Sequence, residues 1–96
     1  MEILVTYDVS TEDLAGRRRL RRVARTCQAF GQRVQKSVVE CTVNAGQLEE
    51  LQHVLRKEIQ PEQDSLRIYR LQEPREKYVR IMGKVPVFDL HDPLIV

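Results

Sequence analysis

The order of apolar and polar residues predicts strands and helices from the first residues onward. Residues 3–8 begin with three consecutive apolar side chains, the pattern of a central strand that is covered on both faces. Ser10 is a good N-cap followed by acidic residues, and Gly31 is a typical residue just beyond a helix end, so a long helix is predicted between them. Its buried stripe follows helical spacing and consists of Leu20, Val23, Ala24 and Cys27.

The middle of the chain predicts extended structure followed by a second helix. Residues 32–43 are rich in valine but too numerous for one ordinary strand, so we expect a bend or a short hairpin near Lys36 and Ser37. Leucines that recur on one stripe predict a helix over residues 47–59, and Pro61 marks its end.

The last third of the chain predicts two more strands, over residues 64–71 and 79–82, with a polar turn between them. The resulting order, β-α-β(β)-α-β and then a terminal strand, matches the ferredoxin-like plan, an α/β (α+β) sandwich written βαββαβ. A chain of 96 residues has the length of one domain. We therefore predict a single ferredoxin-like domain over residues 1–96, in which residues 79–96 form a C-terminal strand and tail.

Charge is concentrated in the first helix rather than in the chain as a whole. The formal net charge is only +2, yet six arginines lie between Arg17 and Arg25 with no acidic residue among them. Guanidinium groups suit phosphate oxygens, so this cluster favours an anionic partner such as nucleic acid. The alternatives are a solvated helix face or a set of salt bridges to another chain. The predicted nucleic-acid-binding residues are Arg17, Arg18, Arg21, Arg22, Arg25, Arg33 and Lys36.

Other residue types narrow the possible functions. Aromatic residues make up 5% of the chain and tryptophan is absent, which favours contacts to the phosphate backbone over base stacking. Cys27 and Cys41 form no CxxC pair and are expected to be buried thiols. His53 and His91 belong to no Ser-His-Asp or Cys-His pattern, and the sequence contains no glycine-rich phosphate loop. Without a signal peptide or a membrane-spanning stretch, we expect a cytoplasmic protein with no membrane contact.

Asp8 stands where the first strand ends and the chain turns towards the first helix. Ligands of α/β sheets gather at the carboxyl ends of strands. A single carboxylate is a poor Mg²⁺ site, because this ion is usually held by one or two carboxylates together with phosphate oxygens and water. A symmetric dimer would bring a second Asp8 and complete the site, beneath arginines of the first helix that hold the nucleic-acid backbone. The alternative is that Asp8 is an ordinary turn residue.

Five segments of the chain form a recognisable set: Val5-Thr6-Tyr7-Asp8-Val9, the arginine-rich helix ending Cys27-Gln28-Ala29-Phe30-Gly31, residues 32–41 with Gln35-Lys36-Ser37-Val38, residues 64–71, and Asp92-Pro93-Leu94-Ile95. Together they resemble the Cas-two family, small CRISPR-associated proteins of spacer acquisition in antiviral defence. The resemblance implies a homodimer whose last strand adds to the partner's sheet. It also implies that Asp8 is the catalytic residue and the ligand of Mg²⁺, or of Mn²⁺. Tyr7, Ser10 and Ser37 would be neighbours of that site, and position 39 is Val where the family usually has Phe.

The resemblance implies two functions. Members of the family are described as metal-dependent endonucleases on RNA or double-stranded DNA, and also as a scaffold that joins integrase dimers while new spacers enter the CRISPR array. The nuclease needs Asp8, and slow chemistry is expected because no residue in the sequence stands out as a general base. The scaffold is non-catalytic and needs the arginines and the dimer. A third interpretation, a small-molecule enzyme or regulatory domain, would need a concave polar pocket that no motif marks.

Overall fold

The computed structural model describes residues 1–85 and contains the predicted strands and helices as far as residue 71. In chain order the elements are β1 (Glu2–Asp8), α1 (Leu14–Phe30), β2 (Gly31–Gln35), β3 (Val38–Thr42), α2 (Ala45–Glu58), β4 (Ser65–Leu71) and the single-turn α3 (Arg75–Tyr78). The strands form one antiparallel sheet in the order β2-β3-β1-β4. This is the ferredoxin-like arrangement, so the predicted fold class is confirmed. Among residues 1–85, no helix has the length and apolar character needed to cross a membrane.

The two long helices cover one face of the sheet, and the core lies between the helices and that face. Ile3, Val5 and Tyr7 of β1 are buried beneath the helices, together with the predicted stripe of α1 and with Leu51 and Leu55 of α2. The other side is called the open face below. Its residues are Glu2, Leu4, Thr6 and Asp8 of β1, Val38, Glu40 and Thr42 of β3, and Ser65, Arg67, Tyr69 and Leu71 of β4.

The start of α1 differs from the prediction. Asp13, not Ser10, is the N-cap, because the Asp13 side chain accepts a hydrogen bond from the Gly16 amide at 2.7 Å. The Ser10 amide instead donates to the Asp64 carboxylate at 3.1 Å, so Ser10 is held by Asp64 and does not cap the helix. The loop also passes close to the first turn, where a Cβ at position 16 would collide with the Ser10 carbonyl oxygen. Gly16 is therefore required by close backbone approach.

Gly31 follows α1 for a different reason from the one predicted. Its φ of −166° is extended rather than left-handed, and it is already the first residue of β2. A Cβ here would collide with the Glu40 carbonyl oxygen and with the Cys41 sulfur, so the close contact between β2 and β3 requires glycine. α2 begins two residues earlier than predicted, because Asn44 and Gln47 form a capping box.

The valine-rich segment is a hairpin, as expected. β2 and β3 join through Lys36 and Ser37, and a bulge between Arg33 and Gln35 shifts their register. Val39 is fully buried beneath the helices, so it contributes to the core and not to the open face.

The region after β4 departs from the prediction. Residues 75–78 form α3 where a polar turn was expected, and residues 79–85 form no strand. A strand needs a hydrogen-bonding partner along its length. Residues 79–85 make no ladder with the chain's own sheet, and Ile81, Met82 and Val85 are exposed. The strand predicted from residue 79, which is expected to add to the partner's sheet, stays a prediction. The rest of the predicted tail, residues 86–96 with His91, lies outside the described residues.

Candidate metal site and nucleic-acid interface

Asp8 is the last residue of β1, and its side chain is exposed. Alternation along the strand directs it to the open face, because the preceding Tyr7 is buried beneath the helices. Within residues 1–85, no hydrogen bond or ion pair engages the Asp8 carboxylate. Both of its oxygens are therefore available to water or to a cation.

The β2–β3 turn lies beside the end of β1. The Tyr7 amide donates to the Ser37 carbonyl at 3.1 Å, which continues the β1–β3 ladder into the turn. Lys36 of this turn is exposed. The structure therefore brings two of the sequence-predicted residues, Lys36 and Ser37, to the same end of the sheet as Asp8.

β4 flanks Asp8 on the other side and adds two residues that the sequence did not single out for the site. Ser65 is paired directly with Asp8, and Arg67 is paired with Thr6 on the same open face. The Arg67 guanidinium donates to the Tyr69 hydroxyl at 3.1 Å. Position 67 is thus one diagonal step from Asp8 in the sheet, while the Arg67 guanidinium is directed along β4 towards Tyr69, on the side away from Asp8. Only the register of β4 against β1 reveals this placement, and no local sequence pattern specifies it.

Tyr7 precedes Asp8 in β1, but its side chain lies on the helix side of the sheet and not on the open face. Its side chain enters the core, where the hydroxyl donates to the Lys36 carbonyl at 3.3 Å. Burial is the main cause that raises the pKa of Tyr7 to about 12, with a further increase from Cys27 and an opposing effect from Arg33. Tyr7 therefore stays protonated at neutral pH, and it packs beside the site instead of acting as a base.

Asp64 is a buried carboxylate that gathers hydrogen bonds from three parts of the chain. The Ser10 amide donates to Oδ1 at 3.1 Å, and the Gln60 amide donates to Oδ2 at 2.8 Å. Arg19 donates through Nε at 2.9 Å and through Nη2 at 3.2 Å. Burial favours the protonated acid, but the hydrogen bonds from Arg19, Gln60 and Ser10 outweigh it and lower the pKa of Asp64. Ser10, predicted as a site neighbour, is therefore held by its backbone through Asp64.

The donor set at the end of β1 fits Mg²⁺ only in part. Within residues 1–85, no group of three or more His, Cys, Asp or Glu side chains is placed to hold a metal ion. Asp8 alone offers one exposed carboxylate, and Mg²⁺ is usually bound through one or two carboxylates with water and phosphate oxygens completing its shell. An Asp8 from each of two copies fits that requirement.

The arginines of α1 form an exposed surface on the far side of the helix from the core. Arg18, Arg21, Arg22 and Arg25, called the arginine face below, project opposite the buried stripe, and all four are exposed. No side-chain hydrogen bond or ion pair engages them in the part of the chain that the structure describes. Arg17 is also exposed, and its guanidinium donates to the Thr11 carbonyl at 3.4 Å.

Arg33 does not join this exposed surface. Its exposed fraction is only 4%, and its Nε donates to the Lys36 carbonyl at 3.2 Å. The pairing of Arg33 with Val39 explains the burial, because Val39 lies on the helix side of the sheet. The expectation that Arg33 belongs to an exposed nucleic-acid-binding surface is therefore wrong.

The arginine face and Asp8 lie on opposite sides of the sheet within one protomer. The arginines point outward from the helix layer, whereas Asp8 points to the open face. The predicted arrangement, with the cation site beneath the arginines of the first helix, is therefore wrong for a single protomer. Lys36 and Arg67 are the cations at the Asp8 end of the sheet instead.

The chain is similar in sequence to several known proteins. A family model described as CRISPR associated protein Cas2 matches residues 1–79. The chain belongs to the Cas2 (Cas-two) family. A Moorella thermoacetica protein named CRISPR-associated endoribonuclease Cas2 1 is 55% identical over 96 residues, covering 100% of both chains. A Halalkalibacterium halodurans protein named CRISPR-associated endonuclease Cas2 is 50% identical over 95 residues, covering 99% of each.

The Cas2 fold is also recognisable in a solved structure. A crystal structure of Streptococcus pyogenes Cas2 at pH 6.5 superimposes with a TM-score of 0.78 and 46% sequence identity, over 86% of this chain and 100% of that chain. The family expected from the sequence segments is therefore confirmed by family model, relatives and fold.

Proposed function

We propose that this Cas2 protein is a metal-dependent endonuclease on RNA, double-stranded DNA or both, and that it takes part in the integration of new spacers into the CRISPR array. The observation that carries the proposal is the exposed, unengaged Asp8 carboxylate at the end of a central strand, at the same end of the sheet as the exposed Lys36 and Arg67. The endoribonuclease and endonuclease names of the Moorella and Halalkalibacterium relatives support the same activity.

The proposed active form is a homodimer that is joined through the open face. Half-buried apolar side chains lie on this face, including Leu4, Val38 and Leu71, and Tyr69, which is paired with Leu4, is 44% exposed. Removing such side chains from water stabilises an interface between two copies. Because Asp8 lies on the same face, a two-fold contact whose axis passes near the end of β1 would bring two carboxylates towards each other.

In the proposed mechanism, the Asp8 carboxylates of the two protomers hold Mg²⁺ or Mn²⁺. The ion supplies, when bound, an activated water and charge neutralisation at the phosphate. The exposed Lys36 and Arg67 at the same end of the sheet bind phosphate oxygens of the substrate. No side chain at this end is a good general base in the part of the chain described, since Tyr7 is buried with a pKa of about 12. Slow cleavage is therefore expected.

The nuclease proposal is tested with purified protein on RNA and on duplex DNA, with Mg²⁺, with Mn²⁺ and with a chelator, across a range of pH. Cleavage should require the divalent ion. Asp8→Asn should reduce the cleavage rate by at least about 100-fold, because a metal ion contributes several kcal/mol to stabilising the reacting phosphate. Glu12→Gln, at another exposed acid of the following loop, is the matched control and should cleave normally. Cleavage by Asp8→Asn with unchanged metal dependence would show that the catalytic assignment is wrong.

A second proposed function is a non-catalytic scaffold that binds DNA and bridges integrase dimers. The arginine face supports it, because two copies joined through their open faces would carry their arginine faces on the outer sides of the dimer. Duplex binding at those surfaces does not need Asp8. An Asp8→Asn protein that still binds duplex DNA and still supports spacer insertion with the integrase subunit would establish the scaffold as the main role. Loss of insertion together with cleavage would reject it.

A further inference from the structure

The Arg19–Asp64 pair is a buried ionic contact, and a buried ion pair is by itself weak evidence of a stabilising role. The Asp64 side chain is fully buried and that of Arg19 is 12% exposed. Burying an ion pair removes both charges from water, and well-packed apolar residues often replace such a pair with no loss of stability. A role in setting local geometry is therefore a better explanation than stability alone.

Asp64 fixes the two chain segments that frame Asp8. It directly precedes Ser65, the residue paired with Asp8 on β4. Its Oδ1 also accepts the amide of Ser10, which follows Asp8 by two residues. The Asp64 carboxylate thus connects β4, the strand beside Asp8, to the loop that follows β1.

Arg19 fixes the orientation of the Asp64 carboxylate. Its guanidinium contacts both carboxylate oxygens, with Nε on Oδ2 and Nη2 on Oδ1. Such two-point contacts define direction as well as distance. Arg19 lies on α1, so the pair also anchors the loop to the helix that follows it.

We propose that Asp64 and Arg19 are positioning residues that set the placement of the Asp8 carboxylate. The proposal rests on the nuclease function proposed above. A Mg²⁺ ion shared by two protomers accepts only near-octahedral oxygen ligands, so small displacements of Asp8 disturb the site. Residues that orient metal ligands through hydrogen bonds typically change metal affinity or activity by about 10- to 100-fold when they are replaced.

Two variants test the proposal. Asp64→Asn removes the charge and places an amide group against the Arg19 donors. Arg19→Gln removes the two-point contact but leaves the amides of Ser10 and Gln60 bonded to Asp64, so it is the milder change. The matched control is Thr26→Ala, which removes a hydrogen bond of 2.6 Å between α1 and Glu58 of α2, about two helical turns away from Arg19.

Cleavage, metal dependence and local protection are measured for each protein. Both Asp64→Asn and Arg19→Gln should lower kcat about 10- to 100-fold and raise the Mg²⁺ concentration needed for half-maximal cleavage. Amide hydrogen exchange at Ser10, measured without metal, should become faster in Asp64→Asn. Duplex DNA affinity should stay unchanged, because the arginine face is untouched.

The control separates positioning from general stability. Thr26→Ala should keep kcat even where its thermal midpoint falls as far as that of Arg19→Gln. An equal loss of kcat in Thr26→Ala would overturn the proposal, and so would normal cleavage by folded Arg19→Gln and Asp64→Asn proteins. If Asp64→Asn does not fold at the assay temperature, Arg19→Gln decides the outcome by the same criteria. Normal cleavage by Asp8→Asn would instead reject the nuclease function itself, which makes the two failures distinguishable.

Discussion

The helix side and the open side of this Cas2 sheet carry opposite kinds of chemistry. On the helix side, the arginine face presents four exposed guanidinium groups on a helix without a carboxylate. On the open side, the end of β1 presents a single carboxylate with one exposed cation on each flanking segment. The first surface can bind a phosphate backbone by charge alone. In the proposed function, the second surface would hold a metal ion together with the Asp8 of another copy, so affinity and cleavage should respond to different substitutions.

The arginine face and Asp8 lie on opposite sides of the sheet because of two local patterns, the helical repeat of α1 and the alternation of side chains along β1. The buried stripe of α1 lies against the sheet, so the arginines on the opposite side of the helix must point away from the sheet. Along β1 the side chains alternate, so Asp8 must point away from the helices once Tyr7 is buried beneath them. Both directions are set by the backbone positions of the residues on the helix and on the strand. Both surfaces should therefore keep their places in any assembly of the protein.

Charge reversal on the arginine face gives the largest expected effect. Arg18→Glu with Arg22→Glu should weaken duplex binding by about 100-fold, roughly 2.7 kcal/mol, because each lost phosphate contact costs about tenfold. The slope of log affinity against log salt should become shallower by about one for each lost contact. Fluorescence anisotropy with labelled duplex DNA at several salt concentrations measures both quantities.

The matched control for this prediction is charge reversal on the other long helix. Arg56→Glu with Lys57→Glu makes the same change in net charge at exposed positions of α2. An equal loss of affinity there would show that overall charge, not the arginine face, governs binding. Unchanged duplex binding in the Arg18 and Arg22 variant would show that the arginine face is not the DNA-binding surface and would remove the support for the scaffold. Absence of nucleic-acid binding by the wild-type protein would favour a small-molecule or regulatory domain.

A charge at the centre of the open face should break the dimer and leave the arginine face intact. Tyr69→Lys places an ammonium group among apolar side chains, and the dimer dissociation constant should rise at least about tenfold. Cleavage should fall in parallel, because one Asp8 is a poor metal site on its own. Tyr78→Lys, at a similarly exposed tyrosine on α3, is the control. Sedimentation velocity measures the dimer, and a Tyr69→Lys protein that stays dimeric would place the interface elsewhere.

The sequence predicted those parts of the molecule that depend on local periodicity. Strand and helix order, the buried stripe of α1, the outward arginines and the position of Asp8 at a strand end all follow from neighbouring residues. The Asp64 contacts with Ser10 and Arg19 join residues 54 and 45 positions apart, so no local pattern specifies them. The burial of Arg33 likewise depends on its register against β3. Contacts between residues far apart in the chain are therefore what could not be predicted from the sequence alone.

Arg19 belongs to the arginine cluster of α1, but it is bonded to Asp64 and is not part of the arginine face. Acid titration can test this difference. The pKa of Asp64 is lowered in the folded state. Its contribution to stability is therefore fully present above its unfolded-state pKa of about 3.9, and is lost as the pH falls through the folded-state pKa. Urea unfolding should therefore show the stability difference between wild type and Asp64→Asn narrowing below about pH 4. Glu62→Gln, which removes an exposed carboxylate of the same loop, is the matched control. A difference that stays constant down to pH 2 would contradict this assignment.

The smallest expected effect concerns the core between the two surfaces, which should contribute no reactive group to either. Burial raises the pKa of Cys27 to about 12 and that of Cys41 to about 11, so both thiols should remain protonated and react slowly with a thiol reagent in the folded protein. Tyr7 should likewise ionise only near pH 12. Thiol labelling at pH 8 should proceed at the rate of unfolding, and Cys27→Ser with Cys41→Ala should leave metal dependence and salt dependence unchanged in the folded protein. Fast labelling of the native state would mean that the core opens locally and exposes its thiols.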